Sequence, residues 1–70
     1  MRRRPVESSV LSSAGWADGV LEVEFASGEI YRYLDVPDLV FRQLLRAESK
    51  GTFFQERIRD RYDLERVELD

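Results

Sequence analysis

The apolar positions of the first half of the chain recur with a period of two. Val20-Leu21-Glu22-Val23-Glu24-Phe25 alternates as a half-buried strand does, with Leu21, Val23 and Phe25 on one face. Asp18-Gly19 precedes it, and this pair favours a type I′ hairpin, whose two central residues both need positive φ. It joins a strand near residues 9 to 17 to one near 20 to 26. With Asp18-Gly19 as the loop, Trp16 lies opposite Leu21 on the apolar face and is read as a core residue.

A second turn at Ala26-Ser27-Gly28 leads into Ile30-Tyr31-Arg32-Tyr33. Two registers are open. A two-residue Ser27-Gly28 loop pairs Phe25 with Ile30 and puts Tyr31 and Tyr33 on the face of Glu22 and Glu24. A three-residue loop with Gly28 in the left-handed region pairs Phe25 with Glu29 and puts the tyrosines beside Val23 and Leu21. The bulged loop is preferred, because the alternative would place Arg32 on the apolar face.

After Val36-Pro37 the period changes. Proline suits the first turn of a helix, where its missing N–H has no partner to lose. The helix runs to about Glu48, with Val40, Phe41, Leu44, Leu45 and Ala47 as its apolar stripe. Asp38 and Arg42 are four apart and can pair. Ser49-Lys50-Gly51 is the break, with Gly51 as a left-handed cap. Thr52 and Gln55 form a capping-box pattern that opens a second helix. In it Phe54, Ile58 and Tyr62 recur at four-residue spacing toward the core. Residues 64 to 69 alternate weakly, Val67 and Leu69 apart from Glu65 and Glu68, as a short edge strand or a tail. The fold class is therefore α+β: a three-stranded antiparallel meander followed by two short helices packed on one sheet face. The expected core is Trp16, Leu21, Val23, Phe25, Tyr31 or Ile30, Val40, Phe41, Leu44, Phe54 and Ile58. The chain reads as a single domain over 1–70, with 1–5 a flexible, solvated basic tail and 64–70 the edge strand or tail.

Composition narrows the chemistry. The 70 residues contain no cysteine and no histidine, so neither a thiolate nucleophile nor the two commonest zinc ligands are present. The lack of cysteine fits a reducing cytoplasm. No apolar run approaches the ~20 residues of a membrane span, so no membrane partner is expected. Met1-Arg2-Arg3-Arg4 lacks the apolar stretch that an export signal needs. Serines 8, 9, 12 and 13 have no base to activate them, and Glu22 and Glu24 read as a solvated sheet face. No catalytic residue, cofactor or metal site is expected, and the chain reads as not an enzyme.

The net charge is −3 with 36% charged residues, which is not the balance of a dedicated nucleic-acid binder. The charge is uneven. Residues 7 to 31 carry five acids and no base, while Arg32, Arg42, Arg46, Lys50, Arg57, Arg59, Arg61 and Arg66 fill the second half.

Taken together, Ser8-Ser9, Tyr31 and Tyr33, Val36-Pro37, Ser49-Lys50-Gly51, Phe54 and Ile58-Arg59 with Tyr62 resemble the KTSC domain. That small module is named for its occurrence at the C-terminus of some lysyl-tRNA synthetases. The resemblance runs from about Val6 to Tyr62. Trp16 departs from it, since tyrosine is more usual there, and so does Gln55, where asparagine is expected. What the resemblance implies for function is a suggestion of RNA binding, for a family with no established activity.

Two partner classes follow. RNA or tRNA would be held by Lys50, Arg57, Arg59 and Arg46, with Tyr31 and Tyr33 stacking on bases if the register exposes them. Lys50 with the N–H groups of the second helix could form an anion site; a Gly-capped turn with a solvated lysine is the plainer reading. The plainer reading of the tyrosines is as core or half-core residues with their phenol tips at the rim. Arg59 could instead bridge to Asp35 or Glu48. The alternative function is a protein-interaction or self-association module, in which another protein or a second copy extends the open sheet edge.

Overall fold

The computed structural model describes residues 2–67. Five antiparallel strands form one sheet in chain order: β1 (Arg4–Pro5), β2 (Leu11–Ala17), β3 (Val20–Phe25), β4 (Ile30–Tyr33) and β5 (Leu64–Val67). Helices α1 (Asp38–Arg46) and α2 (Lys50–Arg57) lie between β4 and β5 in the chain. The α+β meander with two helices holds; the strand count is corrected from three to five. Both added strands are outermost and short. β1 takes its order from pairing with the longer β2, which sequence period alone does not report, while β5 is the short edge strand that the weak alternation after residue 64 allowed.

The central hairpins form as their turn chemistry requires. Asp18 (φ 50) and Gly19 (φ 84) are both left-handed, and Trp16 pairs with Leu21. Gly28 stands at φ 102, and the Phe25 N–H donates to the Glu29 carbonyl at 2.8 Å. The bulged register is thus the one adopted: Val23 pairs with Tyr31 and Leu21 with Tyr33. In β2 the pairing slips between Leu11 and Ser13. This bulge inserts one residue, so Leu11 joins Ala14 and Trp16 on the inward face although they are not evenly spaced.

That face carries the core. Leu11, Ala14, Leu21, Val23, Tyr33 and Val36 pack with Leu44 of α1 and with Phe54 and Ile58 from the α2 region. Trp16, Phe25, Tyr31, Val40 and Phe41 are half-buried against this cluster. Burying each large apolar side chain contributes roughly 1.5–3 kcal/mol. The Trp16 indole N–H donates to the Val36 carbonyl at 2.8 Å, satisfying its polar edge.

Three local expectations are corrected. Helix α2 begins at Lys50 rather than Thr52, because Ser49 is its N-cap: the Ser49 hydroxyl oxygen accepts from the Thr52 N–H at 3.3 Å. Gly51 is not a left-handed cap but sits in the first turn of α2. A Cβ there would lie 2.9 Å from Val10 Cγ2, so glycine serves close approach of the helix to the strand. Helix α1 ends at Arg46, and Ala47 is extended.

The N-terminal segment is paired with the sheet rather than a free tail, although Arg2 and Arg4 are exposed. Arg4 pairs with Ala14 and Pro5 with Ser13. A Cβ on Gly15 would stand 2.5 Å from the Arg2 carbonyl oxygen, so the bare glycine leaves room for this segment. Arg3 and Arg32 converge from two sides on Glu22, at 2.8 and 2.7 Å. Glu22 is 5% exposed, which overturns its reading as a solvated carboxylate. Glu24 accepts from the Ser13 hydroxyl at 2.9 Å. Residues 68–70, including Glu68 and Leu69, lie outside the described residues.

Candidate functional site

An open cleft of about 490 Å³ lies between the β3–β4 turn and α2. Its aromatic lining is Phe25, Tyr31, Tyr33 and Phe54. Three edge-to-face contacts join these rings: Phe25 to Tyr31 at 5.3 Å, Phe25 to Phe54 at 5.4 Å and Tyr33 to Phe54 at 5.5 Å. Such geometry matches the positive edge of one ring to the negative face of the next. Tyr33 and Phe54 are buried and belong to the floor, while Phe25 and Tyr31 are half-buried.

Polar groups surround this aromatic base: Ser9, Ser27, Glu29, Gln55 and Arg59 also line the cleft. Arg59 is there because α2 stops early. The N–H groups of Ile58 and Arg59 both reach the Phe54 carbonyl, at 3.0 and 2.9 Å, and Ile58 has left helical geometry. The chain then turns, carrying Arg59 off the helix axis. Burial pushes the Tyr33 phenol above its ordinary value; Tyr31 and Asp60 add to this, while Arg59 opposes it.

The cation set expected from the sequence does not converge. Tyr31, Tyr33 and Arg59 share the cleft. Arg57 lines a different groove with Val40, Gln43, Arg61 and Tyr62, its guanidinium 5.9 Å from the Phe53 ring centre. Lys50 donates to the Ala47 carbonyl at 3.0 Å and so closes the end of α1. Arg46 lies in the last turn of α1 and lines neither recess. Among the described residues Arg59 forms no ion pair with Asp35 or Glu48. Ser8 orders the approach to β2, its hydroxyl oxygen accepting from the N–H groups of Val10 and Leu11 at 3.1 and 3.2 Å.

Sequence reasoning placed Phe25 and Phe54 in the core and missed their cleft-facing role, along with those of Glu29 and Gln55. The bulged turn was the available signal for Glu29, since that register pairs it with Phe25 on the face of Tyr31. Gln55 stood out only as a capping-box partner and as a departure from the family pattern, and it reaches the cleft through the docking of α2. Among the described residues no group of histidine, cysteine, aspartate or glutamate is placed to hold a metal ion, and no helix is long and apolar enough to cross a membrane.

A helix pair over a five-stranded meander, with an aromatic cleft where they meet, defines a compact α+β module. The chain belongs to the KTSC domain family, whose model matches residues 7–62. It is similar to a KTSC domain protein from Yersinia pestis whose crystal structure superposes with a TM-score of 0.87 at 34% identity, covering 96% of this chain and 97% of that one. A protein of Tsukamurella paurometabola is 41% identical over 61 residues, 84% of this chain and 91% of its own. One from Stutzerimonas stutzeri is 45% identical over 58 residues, 80% of this chain and 82% of its own.

Proposed function

We propose that this domain is a non-enzymatic binding module for single-stranded RNA. One observation carries the reading: Arg59 and the half-buried rings of Phe25 and Tyr31 line the same open cleft. A base resting on such rings gains roughly 1–3 kcal/mol from stacking, and an adjacent guanidinium supplies a bidentate partner for the attached phosphate. The site is narrower than the basic surface expected from the sequence. Tyr33 is buried, so one base rather than two finds an aromatic partner on β4.

The test is a titration of single-stranded and structured RNA at two salt concentrations. Single-stranded RNA binds more tightly, with a shallow salt slope of about −0.7, since the cleft offers one cation for phosphate. Arg59→Ala weakens binding and flattens that slope. Absence of binding at low salt, or binding that Arg59→Ala leaves unchanged, overturns the proposal.

A second reading rests on β5. Its outer side is a sheet edge among the described residues, and Leu64 there is 45% exposed. A partner strand could add to it. Sedimentation across concentration tests this: self-association supports the reading, and a strict monomer removes a second copy as the partner.

A further inference from the structure

Glu29 is the acid of the cleft, and its setting is specific. The bulged turn fixes its backbone through the 2.8 Å bond from the Phe25 N–H. Its side chain is held by the Tyr31 hydroxyl, which donates to Oε2 at 3.1 Å, and by the Ser27 hydroxyl, which approaches Oε1 at 3.5 Å. Arg66 stands 3.9 Å from Oε2. A carboxylate offers about four lone-pair positions, so this one keeps acceptor capacity for a ligand.

An ionised carboxylate only accepts hydrogen bonds. The bases differ in how they meet such a group. Guanine presents N1–H and the N2 amino group side by side, two donors matching two carboxylate oxygens. Adenine sets its N6 amino group beside the N1 acceptor, and cytosine sets N4 beside N3. Uracil flanks its single N3–H with two carbonyl oxygens. Each of these three brings an acceptor lone pair against the carboxylate. Gln55, on the α2 side of the same cleft, carries an amide N–H that can serve guanine O6.

From these contacts we propose that the cleft selects guanine, with Glu29 as the specificity-determining residue. This rests on the RNA-binding reading above and goes beyond it by naming the base. Unstacked single-stranded bases are commonly read on this edge while their faces stack on aromatic side chains.

The experiment measures fluorescence anisotropy of labelled pentanucleotides UUGUU, UUAUU, UUCUU and UUUUU with the full chain. A bidentate contact predicts about tenfold tighter binding of UUGUU than of the others. Replacing guanine by inosine removes the N2 amino group and forfeits most of that preference. Glu29→Gln, at an exposed position, reduces the preference below about threefold, both by weakening UUGUU and by relieving the lone-pair opposition to the other three. Equal affinity for all four pentamers overturns guanine selection and leaves RNA binding standing. A guanine preference that survives Glu29→Gln overturns the role of Glu29. Failure of every pentamer to bind overturns the underlying reading as well.

Discussion

Arg3 donates to the Glu22 carboxylate at 2.8 Å across 19 positions of chain, fastening the N-terminal segment to the middle of the sheet. Arg32 holds the other oxygen of the same group at 2.7 Å. Removing Glu22 leaves two guanidinium groups without their shared anion. Both arginines are partly exposed, so the loss is smaller than for a fully buried triad. Glu22→Gln should lower stability by about 1–3 kcal/mol, and Arg3→Ala by about 1 kcal/mol or less. Urea unfolding midpoints check both, and an unshifted Glu22→Gln midpoint refutes the anchoring role.

Gly15 faces the Arg2–Arg3 backbone with no space for a methyl group. Gly15→Ala should therefore displace β1 rather than the hydrophobic core. The cost is about 1–3 kcal/mol, typical of forced overpacking. Chemical shifts of Arg3 to Pro5 should move while those of Leu44 and Ile58 stay in place. A core-wide perturbation would contradict this picture.

Gly51 meets Val10 in the same manner, but the obstacle is a side-chain methyl group. Alanine in a helix interior is favoured over glycine by roughly 0.5–1 kcal/mol, which is an upper bound for a first-turn position such as Gly51. Gly51→Ala should stabilise the protein by up to about 0.5 kcal/mol in a Val10→Ala background, which removes the 2.9 Å contact. In the parent it should give less, or destabilise. A double-mutant cycle showing no coupling between the two positions would rule out their contact.

Lys50 closes α1 through the Ala47 carbonyl and lies outside the aromatic cleft. Lys50→Ala should cost about 0.5–1.5 kcal/mol, the net worth of one such hydrogen bond, and leave RNA affinity intact. Loss of RNA affinity without loss of stability would instead assign Lys50 to the ligand.

Tyr33 titrates above its ordinary value of 10.0, chiefly because it is buried. The folded state therefore holds this proton more tightly than the unfolded chain does. The resulting stability is fully present below the unfolded pKa, near 10, and is lost as pH rises through the folded pKa. Between those limits stability should fall by up to about 1.4 kcal/mol per pH unit from this group alone. Ultraviolet phenolate titration should show one tyrosine ionising late. Tyr33→Phe should remove that component, and a late phenol persisting in the variant would place the shift elsewhere.

The central meander was legible because its information is local. Asp18-Gly19 and Gly28 dictate turn geometry, and the alternation of Leu21, Val23 and Phe25 sets the buried face. The same local rules failed where distant segments meet. Ser49, not Thr52, caps α2: two serine/threonine hydroxyls three residues apart offer rival starts, and the Ser49 hydroxyl takes the Thr52 N–H. Leu11 cannot be assigned to the Ala14 face by counting in twos, because the bulge lies between them. Glu22 reads as a surface residue until two arginines from opposite sides close over it. The cleft was half legible: its tyrosines and Arg59 stood out, Glu29 was implied by the bulged turn without being singled out, and Gln55 enters it only through tertiary placement.

The identity of sheet order and chain order bears on how the molecule assembles. Pairing β2 with β3 and β3 with β4 closes only short loops, whereas joining β5 to β4 must first span both helices. Closure entropy rises with the length of chain enclosed, so the inner hairpins form early and β5 zips on late. Pulse-labelled amide exchange should accordingly protect Val23 before Arg66. Because Tyr31 pairs with Arg66 on that last strand, the strand that carries Tyr31 to the cleft gains its second neighbour only in the final step of folding.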